Sequence, residues 1–296
     1  MCTLKKKRAK KALQNETFVK LIELENERQS HYLKATQCCE AGQVVDGKIV
    51  FRYCRSRVCR ICSNIKTATL INKYESQFDW NQSHLITLTC QNTTGHDLSQ
   101  TLKKLKSQFY LVRQTLRRRG IELDGVYTLE ITYNKSAKTY HPHFHIITTG
   151  STDSHCQQVI DLWLRAMAKN GIYAVSDGQD YRKAKDSDAM KELFKYVTKD
   201  LKYASPIVLD TIIAASWNKR MVQTFGNIRA QDETQQEVAT YSIEAPEGDL
   251  FRWAGDDWYS ILSGESLIEL YRLKNTATAP IPMDTRIRGG TLVDNL

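Results

Sequence analysis

What the 296-residue chain lacks narrows its class before any motif is considered. No run of 18 apolar residues occurs, which excludes an ordinary membrane-spanning helix and any expected membrane partner. The basic start, MCTLKKKRAKKALQNE, leads into no apolar stretch of the kind a secretory signal needs, so a soluble, cytoplasmic protein is expected. Internal repeats and low-complexity segments are missing too, which sets aside solenoids and biased tracts. Acidic charge is in short supply: 42 Lys and Arg against 33 Asp and Glu leave a net charge of +9. That balance suits a polyanionic partner, with nucleic acid the obvious candidate. The length allows one large domain or two modest ones with a real core.

Eight cysteines in a cytosolic chain are not expected to form disulfides, so their clustering points to metal or to free thiols. Cys38 and Cys39 precede FRYCRSRVCRICSN, which supplies Cys54, Cys59 and Cys62, while Cys2, Cys90 and Cys156 are scattered. Cys59 and Cys62 have the spacing of half a zinc knuckle. Cys54 with either Cys38 or Cys39 would complete a tetrahedral structural Zn²⁺ site, although the first half lacks a clean CxxC. Arg52, Arg55, Arg57 and Arg60 crowd the same loop, as a phosphate-contacting surface or as a solvated face.

Beyond the cysteines, residues 10–40 read as helix and residues 83–92 as a strand. Leu102, Leu105, Phe109, Val112 and Leu116 form one helical stripe with Lys and Arg opposite and Gly120 as the stop. Residues 124–134 alternate as a strand, the link KSAKTY makes a hairpin, and HPHFHIITTG (141–150) is its second strand. A capped helix follows and ends at Gly171. On the second strand His143 and His145 share a face while Phe144 and Ile146 take the other. A turn flanked symmetrically by residues 135 and 140 would set Glu130 directly opposite His145. Two imidazoles and a carboxylate suit Mg²⁺, Mn²⁺ or a similar ion with open positions; the plainer alternative is a buried glutamate balancing two histidines. In SDAMKELFKYVTKDLKY (187–203), Met190, Leu193, Phe194, Val197 and Leu201 form an apolar stripe, and Glu192, Tyr196, Lys199 and Tyr203 form a second. The latter groups a possible base, a nucleophile and a phosphate-holding cation.

The order ITLTCQN, then Glu130 with HPHFHII, then ELFKYVTK resembles the HUH endonucleases, and most closely the rolling-circle plasmid replication initiators of the Rep class 1 family. The resemblance spans roughly residues 50–205 and includes RYCRSRVCRIC, which departs from the family's cysteine motif in having Ile61 where a proline is usual. It implies that Glu130, His143 and His145 hold the catalytic metal, that Tyr196 is the nucleophile, that Glu192 activates a terminating water, and that Lys199 completes a YxxK pattern. Tyr203 is left as a base-stacking or phosphate contact. The implied fold is α+β, a central antiparallel sheet of about five strands with flanking helices. The expected organisation is a zinc-stabilised helical region over 1–75, the endonuclease domain over 76–205 and an accessory region over 206–296. Implied partners are double- and single-stranded plasmid origin DNA, a host helicase and a DNA polymerase. A transposase with the same chemistry and a non-catalytic zinc-dependent nucleic-acid-binding regulator are the alternative readings.

Overall fold

Strands of alternating character and amphipathic helices build two α+β units in the computed structural model, which describes residues 4–56, 58–194, 205–229, 237–238, 240–274 and 281–282. The elements begin with α1 (Leu4–Ile22), α2 (Gln29–Thr36), β1 (Ala41–Val45), β2 (Lys48–Phe51), α3 (Arg60–Tyr74), β3 (His84–Thr89) and α4 (Leu98–Arg118). They continue through β4 (Asp124–Asn134), β5 (Thr139–Thr149), α5 (Asp153–Lys169), β6 (Asp180–Lys183), α6 (Asp188–Leu193), α7 (Pro206–Ser216) and β7 (Val222–Phe225). Last come β8 (Glu237–Val238), β9 (Tyr241–Ser242), β10 (Leu250–Trp253), β11 (Trp258–Ser260), α8 (Leu267–Lys274) and β12 (Ile281–Pro282). One unit combines Met1–Thr69 with Thr234–Leu296, and the other is Leu70–Glu233.

The first unit carries an antiparallel sheet in the order β11-β10-β1-β2-β9. Its centre is a tight hairpin in which Asp46 and Gly47 take φ +51° and +67° between the paired Val45 and Lys48. Positive φ at both central positions is what a two-residue turn matching strand twist requires. The N-terminal region expected to be helical therefore also supplies two strands, and its sheet is completed by β9, β10 and β11 from the far end of the chain. Trp258 is fully buried, packs at a tilt against Phe51 at 4.8 Å between ring centres, and donates its indole N–H to the Cys39 carbonyl at 2.7 Å.

The second unit is a five-stranded antiparallel sheet in the order β6-β3-β5-β4-β7. One face is largely apolar: Tyr127, Leu129, Phe144 and Ile146 meet Phe109 of α4 and Trp163 of α5, with Phe144 lying 5.1 Å and 5.8 Å from those two rings. Helix α4 lies there because its residues 102, 105, 109, 112 and 116 are apolar at helical spacing and all buried. The opposite face is divided. One part, with Leu85, Val126 and Ile147, is covered by Met190, Leu193 and Phe194 together with Phe78 and Ile228. The other part carries the polar residues described below. The units divide at 69/70 and 233/234, where the sequence suggested 75/76 and 205/206, because β7 pairs with β4 and so draws residues 206–233 into the second sheet.

Gly125 lies where two backbones approach too closely for any side chain, since a Cβ there would sit 2.2 Å from the Ile147 carbonyl oxygen. Gly125→Ala should therefore destabilise the second unit by roughly 2 kcal/mol or more, comparable to overpacking a core. A lowered denaturation midpoint checks this, and an unchanged one would contradict the packing at this position.

Candidate metal centres

Glu130 on β4 and His143 and His145 on β5 project from one face of the second sheet. The register pairs Glu130 with His143, and Thr128 with His145, instead of the expected Glu130 opposite His145. The turn comes one residue earlier than symmetry about residues 135 and 140 suggested. Asn134 Oδ1 accepts the Ala137 N–H at 3.0 Å, Lys138 takes φ +52°, and the ladder closes at Asn134 and Thr139. The three side chains still meet: Nε2 of His143 and Nε2 of His145 each lie 3.6 Å from the same Glu130 oxygen, Oε2.

The surroundings turn the imidazole lone pairs inward. His143 Nδ1 donates to the His141 carbonyl at 3.2 Å, and His145 Nδ1 faces the Thr87 hydroxyl at 3.3 Å. With the proton on Nδ1 in both rings, both Nε2 atoms are free to act as ligands. Burial, against the opposing pull of Glu130, holds His145 below the usual histidine range and so keeps it neutral, as a ligand must be. Glu130 Oε1 is buried without a hydrogen-bond partner. A buried carboxylate oxygen facing two neutral imidazoles, with one donor atom from each residue inside 4.8 Å of the others, fits a divalent cation.

Glu192 of α6 pairs with Arg182 of β6 at 2.5 Å, and both charges act on His145. The apolar residues Met190, Leu193 and Phe194 are buried as their stripe requires, which fixes the start of this segment on the metal face. Tyr196, Lys199 and Tyr203 lie outside the described residues, as does Arg57. Sequence reasoning missed Thr87, Arg182 and His141. Thr87 had a usable signal, because its alternation within β3 places it directly beside His145. Arg182 had none, lying on a four-residue strand of mostly exposed polar residues.

In the first unit Cys38, Cys54, Cys59 and Cys62 converge, while Cys39 is not among them. Cys39 takes φ +55°, its N–H donating to Arg52 O at 2.8 Å and its carbonyl held by Trp258, so adjacent cysteines are turned to different surroundings. The Sγ atom of Cys62 lies 3.5 Å from that of Cys38 and 3.7 Å from that of Cys54. Four sulfurs at 2.3 Å from a tetrahedral ion would be about 3.8 Å apart, so little movement is needed to hold one. Backbone N–H groups of Ser56 and Cys62 point at Cys54 Sγ and Cys59 Sγ, each at 3.4 Å, as thiolate ligands require. Hydrogen bonds from Cys38, then Cys59 and Cys62, drive the Cys54 thiol well below its usual range, while Cys39 and the other thiols push Cys38 up. Arg52 and Arg55 are exposed, whereas Arg60 is half-buried and its N–H donates to the buried Gln14 at 2.9 Å.

Residues 49–249 match the replication protein family, Rep_1. The chain belongs to that family. Among curated relatives, a "Protein rep" of Staphylococcus aureus is 28% identical over 168 residues, covering 51% of this chain and 71% of the relative. A "Protein rep" of Streptococcus pneumoniae is 22% identical over 102 residues, 32% of each chain, and one of Lentilactobacillus hilgardii is 27% identical over 148 residues, 42% of this chain and 46% of the relative. The matches thus span less than half the length of those last two relatives. No solved structure matches the chain. No helix among the described residues of this replication protein is long and apolar enough to cross a membrane.

The two backbone environments at Cys38 and Cys39 separate their roles. Cys54→Ser and Cys59→Ser should lose the thiolate-bound metal, whereas Cys39→Ser should retain about one ion in that site. Elemental analysis of purified protein gives the readout, and metal loss in Cys39→Ser alone would assign the fourth ligand to the wrong neighbour.

Proposed function

We propose that this replication protein initiates rolling-circle replication of a plasmid by nicking one strand at the origin. The observation that carries the reading is the meeting of Glu130, His143 and His145 on one sheet face, in a member of the replication protein family. Tyr196 Oη attacks the scissile phosphorus and gives up its proton, the bond from phosphorus to the 3′ oxygen breaks, and that oxygen leaves as a 3′-hydroxyl. The products are a 5′-phosphotyrosine and a primer for a host polymerase. Mg²⁺ or Mn²⁺ held by the Glu130 triad would supply charge neutralisation at the phosphate. Lys199 would hold a phosphate oxygen, and Glu192 would accept a proton from the water that ends the last cycle.

The cysteine cluster suits structural Zn²⁺, because four thiolates close the coordination shell. Arg52, Arg55, Arg57 and Arg60 would then present the neighbouring loop to backbone phosphates, and Tyr203 would stack on a base. A host helicase is the expected partner for opening the duplex ahead of the polymerase. The burial of the α6 stripe supports delivery of the following residues to the metal face, since Glu192 already acts on His145 from that segment.

Incubation with a single-stranded origin oligonucleotide and Mn²⁺ tests the chemistry. Tyr196→Phe should eliminate the covalent adduct, and Tyr203→Phe should only weaken it. His143→Ala with His145→Ala should reduce nicking by at least about a hundredfold while DNA binding persists. Mass spectrometry placing the 5′-phosphate on Tyr203, or undiminished nicking by the double histidine variant, would overturn the assignment.

A further inference from the structure

We propose that the α4–β7 edge of the second unit is a track for the sugar-phosphate backbone of DNA, leading away from the Glu130 triad. The inference rests on the nicking function proposed above and adds the path its substrate takes. Lys103, Lys106, Tyr110, Arg113 and Arg117 follow one another at helical spacing and form a single row beside the buried stripe of α4. The fourteen helical steps from Lys103 to Arg117 rise about 21 Å. In duplex DNA that length carries about six phosphates on one strand.

The contacts made by this row show what it faces. Lys106 Nζ donates to the Arg220 carbonyl at 2.9 Å, and Lys219 Nζ donates to Ser99 Oγ of α4 at 2.9 Å. Further along, the Arg113 guanidinium lies 5.1 Å from the Phe225 ring centre of β7. Arg113, Arg117 and Arg229 then line a cavity of about 360 Å³, with Glu122 and Asp124 at its wall. The row thus runs along the segment from Lys219 to Arg229, which supplies cations of its own.

The near end of the track reaches the sheet edge beside the strand that bears Glu130. The Met221 carbonyl accepts the N–H of Leu129 at 2.8 Å, so Arg220 lies on the strand path next to the one bearing Glu130. Neighbouring strands are about 4.8 Å apart, so DNA leaving the α4 side has only this edge segment to cross before it reaches the face that carries the triad.

Like charges gathered here cost free energy that an anion would recover. Among the described residues Lys103, Lys106, Arg113 and Arg220 form no ion pair, and the pair of Arg117 with Glu122 is a 3.9 Å contact between two exposed side chains. Asp124 is engaged by Asn227, whose backbone N–H donates to it at 2.8 Å. Arg113 Nε is buried with no hydrogen-bond partner. Burial and then Arg220 hold Lys106 below the usual lysine range, and burial followed by Lys103 and Lys106 does the same for Lys219. Tyr110, 53% exposed within the row, offers its ring to a base.

The test uses the full chain and a labelled single-stranded DNA oligonucleotide of mixed sequence, with affinity measured by anisotropy across a salt series. Lys103→Gln, Arg117→Gln and Arg220→Gln combined should weaken binding at least tenfold and flatten the salt slope by about 2, since each single-strand phosphate contact contributes about 0.7. Tyr110→Ala should weaken binding roughly fivefold or more without changing the slope, as loss of stacking does. A control removing three exposed lysines elsewhere, Lys34→Gln, Lys169→Gln and Lys185→Gln, should leave slope and affinity near those of the parent. A triple track variant with the parent's slope, or a control that loses as much, would overturn the track. Absence of nicking by the parent chain with Mn²⁺, alongside a flattened slope in the track variant, would instead remove the nuclease reading and leave the track as a DNA-binding surface.

Discussion

The ladder between β4 and β5 is the constraint on which the rest of the second unit depends. Eleven residue pairs, from Asp124 with Thr149 to Asn134 with Thr139, fix which side chains face which way. A slip of one residue would turn His143 and His145 into the apolar layer and expose Phe144 and Ile146, which are 0% and 1% exposed. The same aromatic packing that stabilises the sheet therefore holds the triad in place. Phe144 between Phe109 and Trp163 works on the site from the opposite face, without touching it.

The two donor sets of this chain are suited to opposite tasks because their charges differ. One carboxylate with two neutral imidazoles leaves a bound dication with surplus positive charge and free positions, which favours an anionic phosphate. Four thiolates overcompensate a dication and fill its shell, which favours structure over reaction. The first set lies on the polar part of a sheet face, with its side chains still partly exposed. The second is built into the first unit, where three of its four cysteines are buried. Burial and charge point the same way in both cases.

Much of this was legible because it is periodic. Alternation gives β4 its limits at residues 124 and 134, and the apolar row of α4 is visible as far as Leu116. The three triad residues can be placed on one face by counting in twos. The register cannot be obtained by counting, since it turns on the Asn134 side chain capping the hairpin turn. The choice between Cys38 and Cys39 is likewise settled by one left-handed backbone conformation, supported by a tryptophan 219 positions away in the chain. The β1–β2 hairpin is a different case: Asp46-Gly47 between alternating apolar runs is a strong local turn signal, and reading the N-terminal region as helical passed over it. The unit boundaries escaped because β7, β9 and β10 are short strands that pair with partners far away in sequence, within what looked like one accessory region.

The ion pair between Arg182 and Glu192 connects the charge arrangement to the order of events in the proposed reaction. Both side chains are substantially exposed, at 56% and 38%, and exposed pairs of this kind contribute about 0–1 kcal/mol. A DNA phosphate arriving at the metal face can compete for the Arg182 guanidinium at little cost, because a guanidinium binds phosphate at least as well as carboxylate. While Arg182 holds Glu192 Oε2, the carboxylate is a weaker base toward water. Were Arg182 to turn to a phosphate, the carboxylate would be released on the segment that leads to Tyr196. In this arrangement the substrate itself would raise the basicity of the group that the proposed terminating hydrolysis needs.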